Sequence, residues 1–273
     1  MTLRLAGPLL LVGAGKMGGA LLEGWLRQGL DPATVFIQDP APPPEVQALA
    51  ARHRMAVSDA PDLPAPPSVI VLAVKPDLVE KLLPEIEPLM GEGSVVLSIA
   101  AGRTLVSLSR NLPPGTPIVR AMPNVAASIG RSMTAACANS AVTRDQALEC
   151  TMLLEAIGDV MWIDDESLLD AITAVSGSGP AYVFLLAECL AEAGRAAGLD
   201  AELARRLARA TVEGAGALLR HSDLSPRELR EKVTSPHGIT AEAVQVLMGK
   251  DGVQDLLTRA VAAAAKRSRE LSS

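Results

Sequence analysis

The chain has 273 residues, of which 49% are apolar and only 2% aromatic, and a formal net charge of −6. That length supports one large core or two modest ones. The acidic balance and the scarcity of aromatics exclude an electrostatic footprint for nucleic acid or anionic lipid, and a stacking platform for single strands.

Cys137, Cys150 and Cys189 are odd in number and far apart, and His53, His221 and His237 are scattered, so neither a disulfide framework nor a metal site is expected. A reducing, cytoplasmic location fits. The apolar run near the N-terminus breaks at Lys16 and is read as the lead into a turn, so no targeting segment and no membrane span are expected.

The first element is a strand, Leu9 to Val12, running into Gly13-Ala14-Gly15-Lys16-Met17-Gly18 and then an apolar helix. Strand, glycine turn, helix is the context of a dinucleotide-binding fingerprint. Gly13 permits the tight turn, Gly15 lets a diphosphate approach the backbone, and Gly18 lets the helix pack close. A second strand, Val35 to Gln38, ends at Asp39, about twenty residues past the turn, where a carboxylate binds the adenosine ribose. A turn-forming Asp before Pro40 is an equal reading.

A helix over Glu45 to Arg54 and a proline-rich loop, Pro61 to Pro67, follow. Strand Ser68 to Val74 leads into Lys75-Pro76 and a helix, Asp77 to Met90. Strand Ser94 to Ile99 leads into Ala100-Ala101-Gly102, and strand Ile118 to Met122 into Pro123-Asn124. Met133 to Ala138 and Val160 to Ile163 complete the strands. Small residues at several strand ends leave room for a cofactor.

Near Glu166 the composition shifts and strands cease. Ser178-Gly179-Pro180 reads as a helix start. The helix over Ala181 to Ala197 is apolar nearly all round, so it must be buried on most sides. Gly198 would end it. A second long helix, Asp200 to His221, carries Gly214 and Gly216, which permit close helix approach. Two more begin at Ser225 and near Ile239. Such helices in about a hundred residues call for burial against a second chain. The expected fold is therefore α/β: a Rossmann-type doubly wound sheet over residues 1–165, followed by an all-helical dimerisation and substrate domain over 166–273.

Ala73-Val74-Lys75-Pro76, Ser98-Ile99-Ala100-Ala101-Gly102, Arg120-Ala121-Met122-Pro123-Asn124, Ser176-Gly177-Ser178-Gly179-Pro180-Ala181-Tyr182 and Ser235-Pro236-His237-Gly238-Ile239-Thr240 follow the glycine turn in that order. Together they resemble the pyrroline-5-carboxylate reductase family over essentially the whole chain. The resemblance implies reduction of L-1-pyrroline-5-carboxylate to L-proline by NADPH or NADH. It also implies a homodimer, often assembled into larger rings, with the active site between the nucleotide domain and C-terminal helices. It assigns cofactor contacts to Val12, Gly13, Ala14, Gly15, Lys16 and Met17, to Ala73, Val74, Lys75 and Pro76, and to Ile99, Ala100 and Ala101. Substrate contacts fall on Ser235, His237, Gly238, Ile239 and Thr240, with Glu166 and Asp223. The Ser235–Thr240 loop opens a helix, so its amides suit a carboxylate, and the Thr240 hydroxyl can bond the ring nitrogen or the carboxylate. Lys75 either aids phosphate or substrate binding or is simply solvated.

Three departures from the family pattern stand out. His237 stands where a second glycine is usual and carries a steric cost if φ is positive there. Ile239 replaces a small or hydroxyl residue, and Val125-Ala126 replace Thr-Pro. A carboxylate at Asp39 repels a 2′-phosphate, so NADH is expected to serve at least as well as NADPH. Two other readings stay open: a related imine or β-hydroxyacid oxidoreductase, and a non-catalytic dinucleotide-binding scaffold. The β-hydroxyacid reading wants a lysine on the Ala181 to Ala197 helix, which has none.

Overall fold

The computed structural model describes residues 3–272. The elements of the first unit are, in chain order, β1 (Leu9–Val12), α1 (Lys16–Arg27), β2 (Val35–Gln38), α2 (Pro44–His53), β3 (Val57–Ser58), β4 (Val69–Leu72), α3 (Pro76–Ile86), β5 (Val95–Ser98), α4 (Leu105–Ser109), β6 (Ile118–Met122), β7 (Ser132–Ala138), α5 (Arg144–Glu155) and β8 (Gly158–Trp162). The strands make one sheet ordered β3-β2-β1-β4-β5-β6-β7-β8. All neighbours run parallel except β6 and β7. Strand order reverses beside β1, which pairs with both β2 and β4. Ligands of such sheets bind outside the carboxyl ends of the strands at that reversal.

Strands buried on both faces read as continuous apolar runs, and β1 and β4 do so. Alternate residues serve opposite faces. Leu9, Leu11, Ile37 and Val71 join a core with Leu21 and Trp25 of α1 and Leu153 of α5. Leu10, Val12, Ile70 and Leu72 join the other, against Val79, Leu83 and Ile86 of α3. Trp25 is fully buried, and its indole N–H donates to the Leu153 carbonyl at 2.8 Å. The helix α5 is an element that periodicity did not reveal. Its start carries a reciprocal capping box between Thr143 and Gln146.

The chain separates into two compact units at Gly177/Ser178, with the segment from Ala265 onward belonging to the first. The helix expected at Ser178-Gly179-Pro180 starts there, with Ser178 as its N-cap, and other helical turns precede it. A 3₁₀ turn (Glu166–Leu168), α6 (Leu169–Ile172) and a π-helical turn (Thr173–Gly177) lead into α7 (Gly179–Ala196). Pro180 has no N–H to offer the preceding turn, and a widened π turn accommodates that loss. The second unit continues with α8 (Ala201–His221), α9 (Pro226–Lys232), α10 (Ile239–Leu247) and α11 (Val253–Ser272), whose last turns belong to the first unit.

The expectation that the Ala181 to Ala197 helix is buried on most sides is not met within one chain. No residue of α7 is buried, and Phe184, Leu185 and Leu186 are 66%, 57% and 57% exposed. Gly214 and Gly216 also face open space. The close approach of α7 and α8 occurs at Gly194, where an added Cβ would lie 3.3 Å from Leu199 Cδ1 and 3.4 Å from Ala204 Cβ. Gly198 ends α7 as expected, with φ 98°. The run Glu166–Ala196 is long and apolar enough to cross a membrane by length and composition, an 18-residue window within it reaching a mean hydropathy of 1.3.

The turn between β1 and α1 depends on one close contact. A Cβ on Gly18 would collide with the carbonyl oxygen of Gly13, whereas one on Gly15 would meet nothing within 4 Å. Gly18→Ala is therefore expected to lower the unfolding free energy by about 2 kcal/mol. Gly15→Ala, whose φ of −65° any residue adopts, is expected to stay within about 0.5 kcal/mol of the parent. Urea titrations of the two variants check the contrast.

Candidate active site

The glycine turn presents the N-terminus of α1 at the carboxyl edge of the sheet. Gly13 has φ 89°, a value that favours glycine, and a Cβ there would sit 2.6 Å from Val74 Cγ1. Its N–H donates to the Gln38 carbonyl at 2.8 Å, which ties the turn to β2. The N-cap is Gly15, and no side chain caps the helix. The first-turn amides and the positive end of the helix dipole therefore face outward for an anion. Lys16 is exposed, while Met17 packs on the core beneath.

Asp39 follows β2, and its two oxygens accept separate amides. Oδ2 takes the Ala14 N–H at 2.7 Å, and Oδ1 takes the Ala41 N–H at 2.9 Å. The turn-forming role is thus real, and the same carboxylate also pins the glycine turn. It remains only partly buried at the edge of a cleft of about 600 Å³. Val12, Gly13, Gly15, Asp39, Ala73, Val74 and Lys75 all line this cleft.

Ile99, Ala100 and Ala101 follow β5, next to β4 in the sheet, beyond that lining. Pro76 opens α3, with Lys75 as its exposed N-cap. The cleft is also walled by Gln38, Pro40, Asp59, Leu78, Lys81, Leu82 and Glu85. Sequence reasoning singled out none of these. The one available signal was Gln38, a polar residue closing an otherwise apolar strand.

The two most specific motifs meet within the first unit. Asn124 Nδ2 donates to the carbonyl and hydroxyl oxygens of Ser176, both at 3.2 Å. Asn124 Oδ1 accepts the Ala126 amide. Arg120 is buried, and its guanidinium donates to Glu166 Oε1 at 2.7 Å. The same oxygen accepts the Leu105 amide at 2.8 Å. Glu166 is therefore committed to holding β6 and the start of α4. Cys137 pairs with Arg120 across β6 and β7. Burial pushes its thiol up to about 11, with the Glu166 charge adding and Arg120 opposing. That keeps it a neutral thiol near pH 7, unfit as a nucleophile.

In the second unit, Ser235 to Thr240 form the turn that opens α10. The Gly238 N–H donates to the Ser235 carbonyl at 3.0 Å, and a Cβ on Gly238 would collide with the Ser235 hydroxyl. Gly238 is the N-cap, again with no side-chain cap. His237 has φ 58°, so the steric cost foreseen for this departure from glycine is present. Thr240 is exposed in the first turn, and Ile239 is 93% exposed. Asp223 is exposed between α8 and α9.

An adenine dinucleotide fits the first unit: the uncapped α1 terminus suits a diphosphate, and Gly15 leaves room for it. Sequence and structure comparisons agree with these features. The profile described as "Pyrroline-5-carboxylate reductase dimerisation" matches residues 166–271, and "NADP oxidoreductase coenzyme F420-dependent" matches residues 9–102. The pyrroline-5-carboxylate reductase of Pseudomonas aeruginosa is 36% identical over 261 residues, covering 96% of this chain and 95% of its own. That of Pisum sativum is 37% identical, covering 96% and 94%. The solved structure of the Coxiella burnetii enzyme superposes with a TM-score of 0.91 at 32% identity, covering 98% of this chain and 100% of its own. The Plasmodium falciparum enzyme with NADP bound gives 0.80 at 27%, covering 98% and 99%. With reductases of that name matching across nearly its whole length in sequence and fold, the chain belongs to the pyrroline-5-carboxylate reductase family.

Proposed function

We infer that the chain reduces the C=N bond of L-1-pyrroline-5-carboxylate to give L-proline, with NADH or NADPH as reductant. The observation that carries this is the match to reductases of that name across 96% of the chain. When bound, the nicotinamide supplies the hydride for the imine carbon, and a proton completes the ring nitrogen. The protein's part is placement. The turn over Gly13, Ala14, Gly15, Lys16, Met17 and Gly18 receives the diphosphate on its amides, and Asp39 faces the adenosine ribose. Val12, the Ala73–Pro76 segment and the Ile99–Ala101 segment border the rest of the dinucleotide.

The substrate carboxylate is assigned to the uncapped amides at the Ser235–Thr240 turn, where the helix dipole favours an anion. The Thr240 hydroxyl bonds the ring nitrogen or the carboxylate. Asp223 is a further substrate contact. Glu166 acts as a positioning residue through Arg120 and the Leu105 amide. The helical part from residue 166 onward is the substrate and dimerisation domain, and residues 1–165 are the nucleotide domain.

The assembly is a cytoplasmic homodimer, with pairs joining into a larger ring. The apolar face of α7 supports a protein partner, because it lies inside the matched dimerisation stretch. Its residues then satisfy in the dimer the burial that composition demands.

Loss of reduced-nicotinamide absorbance on adding pyrroline-5-carboxylate tests the activity, and no loss with either dinucleotide refutes it. The Asp39 charge leads to kcat/KM with NADH at least equal to that with NADPH. Thr240→Val is expected to lower kcat/KM about 10- to 100-fold with the fold intact, the scale of one hydrogen bond to a polar reactant. His237→Gly is expected to raise stability by about 1 kcal/mol, the left-handed penalty relieved, measured as a higher urea midpoint. Leu186→Glu is expected to convert the sedimenting dimer to monomer.

A further inference from the structure

Gln38 closes β2 with 8% of its surface exposed. Its Nε2 donates to the Asp59 carbonyl at 3.0 Å, which fixes the amide's orientation, since the reverse would set two oxygens together. Among the described residues its Oε1 is the buried side-chain polar atom left with no hydrogen-bond partner. An unpaired buried acceptor is expensive to keep, so its setting in the dinucleotide cleft calls for a donor.

The identity of that donor follows from the two faces of β2. Ile37 serves the core on the α1 side. Phe36 packs into the core on the α3 side, and strand alternation puts Gln38 on that side with it. The diphosphate and ribose belong to the other flank, at Gly13, Gly15 and Asp39. The Gln38 flank has different chemistry. Pro40, Val74, Leu78 and Leu82 give the cleft apolar walls, Asp59 and Glu85 add acceptors, and Lys75 and Lys81 add cationic donors. Apolar walls beside the unpaired Gln38 carbonyl suit a base bearing an amino group.

We propose that Gln38 is a specificity-determining residue that reads the exocyclic amino group of the cofactor's adenine through its orphaned Oε1. This rests on the dinucleotide site described above and extends it to the base. A hypoxanthine base, with a carbonyl oxygen in place of that amino group, sets acceptor against acceptor.

The test is calorimetric binding of NAD⁺ and of its hypoxanthine analogue to the full-length protein. The parent is expected to bind the analogue about tenfold more weakly, the worth of one hydrogen bond. Gln38→Met, which removes the carbonyl at similar length, is expected to bring the ratio of the two dissociation constants close to one. A purely structural role for Gln38 would weaken both dinucleotides together and leave the ratio unchanged, which overturns the proposal. A ratio near one in the parent also overturns it, with no variant needed. If that result comes with intact NADH oxidation on pyrroline-5-carboxylate, only the base-reading claim falls. If neither dinucleotide binds, the cofactor site falls and this proposal with it.

Discussion

The contact between Gly18 and the Gly13 carbonyl sets everything downstream. It brings α1 so close to the end of β1 that Gly18 tolerates no Cβ, and Val74 and Ala73 exclude one at Gly13. The helix then starts directly over the carboxyl edge of the sheet, with Gly15 as a bare N-cap. A glycine N-cap gives up only about a few tenths of a kcal/mol relative to a Ser or Asp cap. The sheet beneath readily offsets that. Leu9, Leu10, Leu11, Ile70 and Leu72 are fully buried, each contributing about 2 kcal/mol of transfer free energy. Asp39 adds a second restraint, with its carboxylate on the Ala14 amide. The turn is therefore rigid before any ligand arrives, which is what an anion site needs to bind without reorganising.

The two units solve burial in opposite ways. The sheet unit closes its own core on both faces. The helical unit buries Ala204 and Ala208 but leaves Phe184, Leu185, Leu186 and Leu218 at least half exposed. A single layer of helices has no second layer to cover it. The same apolar length would suit lipid, yet α7 carries Glu188, Glu192 and Arg195 within its span. Those charges are tolerable at the wet margin of a protein interface and expensive in hydrocarbon. Small residues at Gly214 and Gly216, open in one chain, offer a second copy a close approach.

What the sequence disclosed was local. The glycine turn, the apolar strands and the helix stops at Gly198 and Arg54 follow from residues within a few positions of one another. What it hid depends on distance along the chain. Arg120 and Glu166 stand 46 positions apart, so nothing nearby marks Glu166 as held by an ion pair. Asn124 and Ser176 belong to two recognised motifs, but their bond across 52 positions has no sequence signal. The strand β3 has two residues, too few to show alternation. The helix α5 was hidden by a weak apolar stripe, although Thr143 and Gln146 spelled out its cap. The cleft wall at Gln38 and Asp59 comes from two strand ends brought together only by the sheet.

Positive φ at a non-glycine residue is not diagnostic by itself. Arg54 has φ 57° because it caps α2, and Asp251 has φ 60° in the turn between α10 and α11, its amide held by Asp255. At Arg54 the left-handed residue closes off a helix's last carbonyls. His237 differs, since it precedes a helix whose first amides are uncapped. Its side chain is exposed and buries no core surface that could offset the strain. Glycine would hold the same turn at lower energy. With the carboxylate assignment proposed above, the position sacrifices stability for a side chain beside the substrate, which is where local rules are expected to yield to function. Gln38 breaks a different rule, an acceptor buried without a donor, at the cofactor cleft. Each violation sits in a place that an organic anion or base would complete.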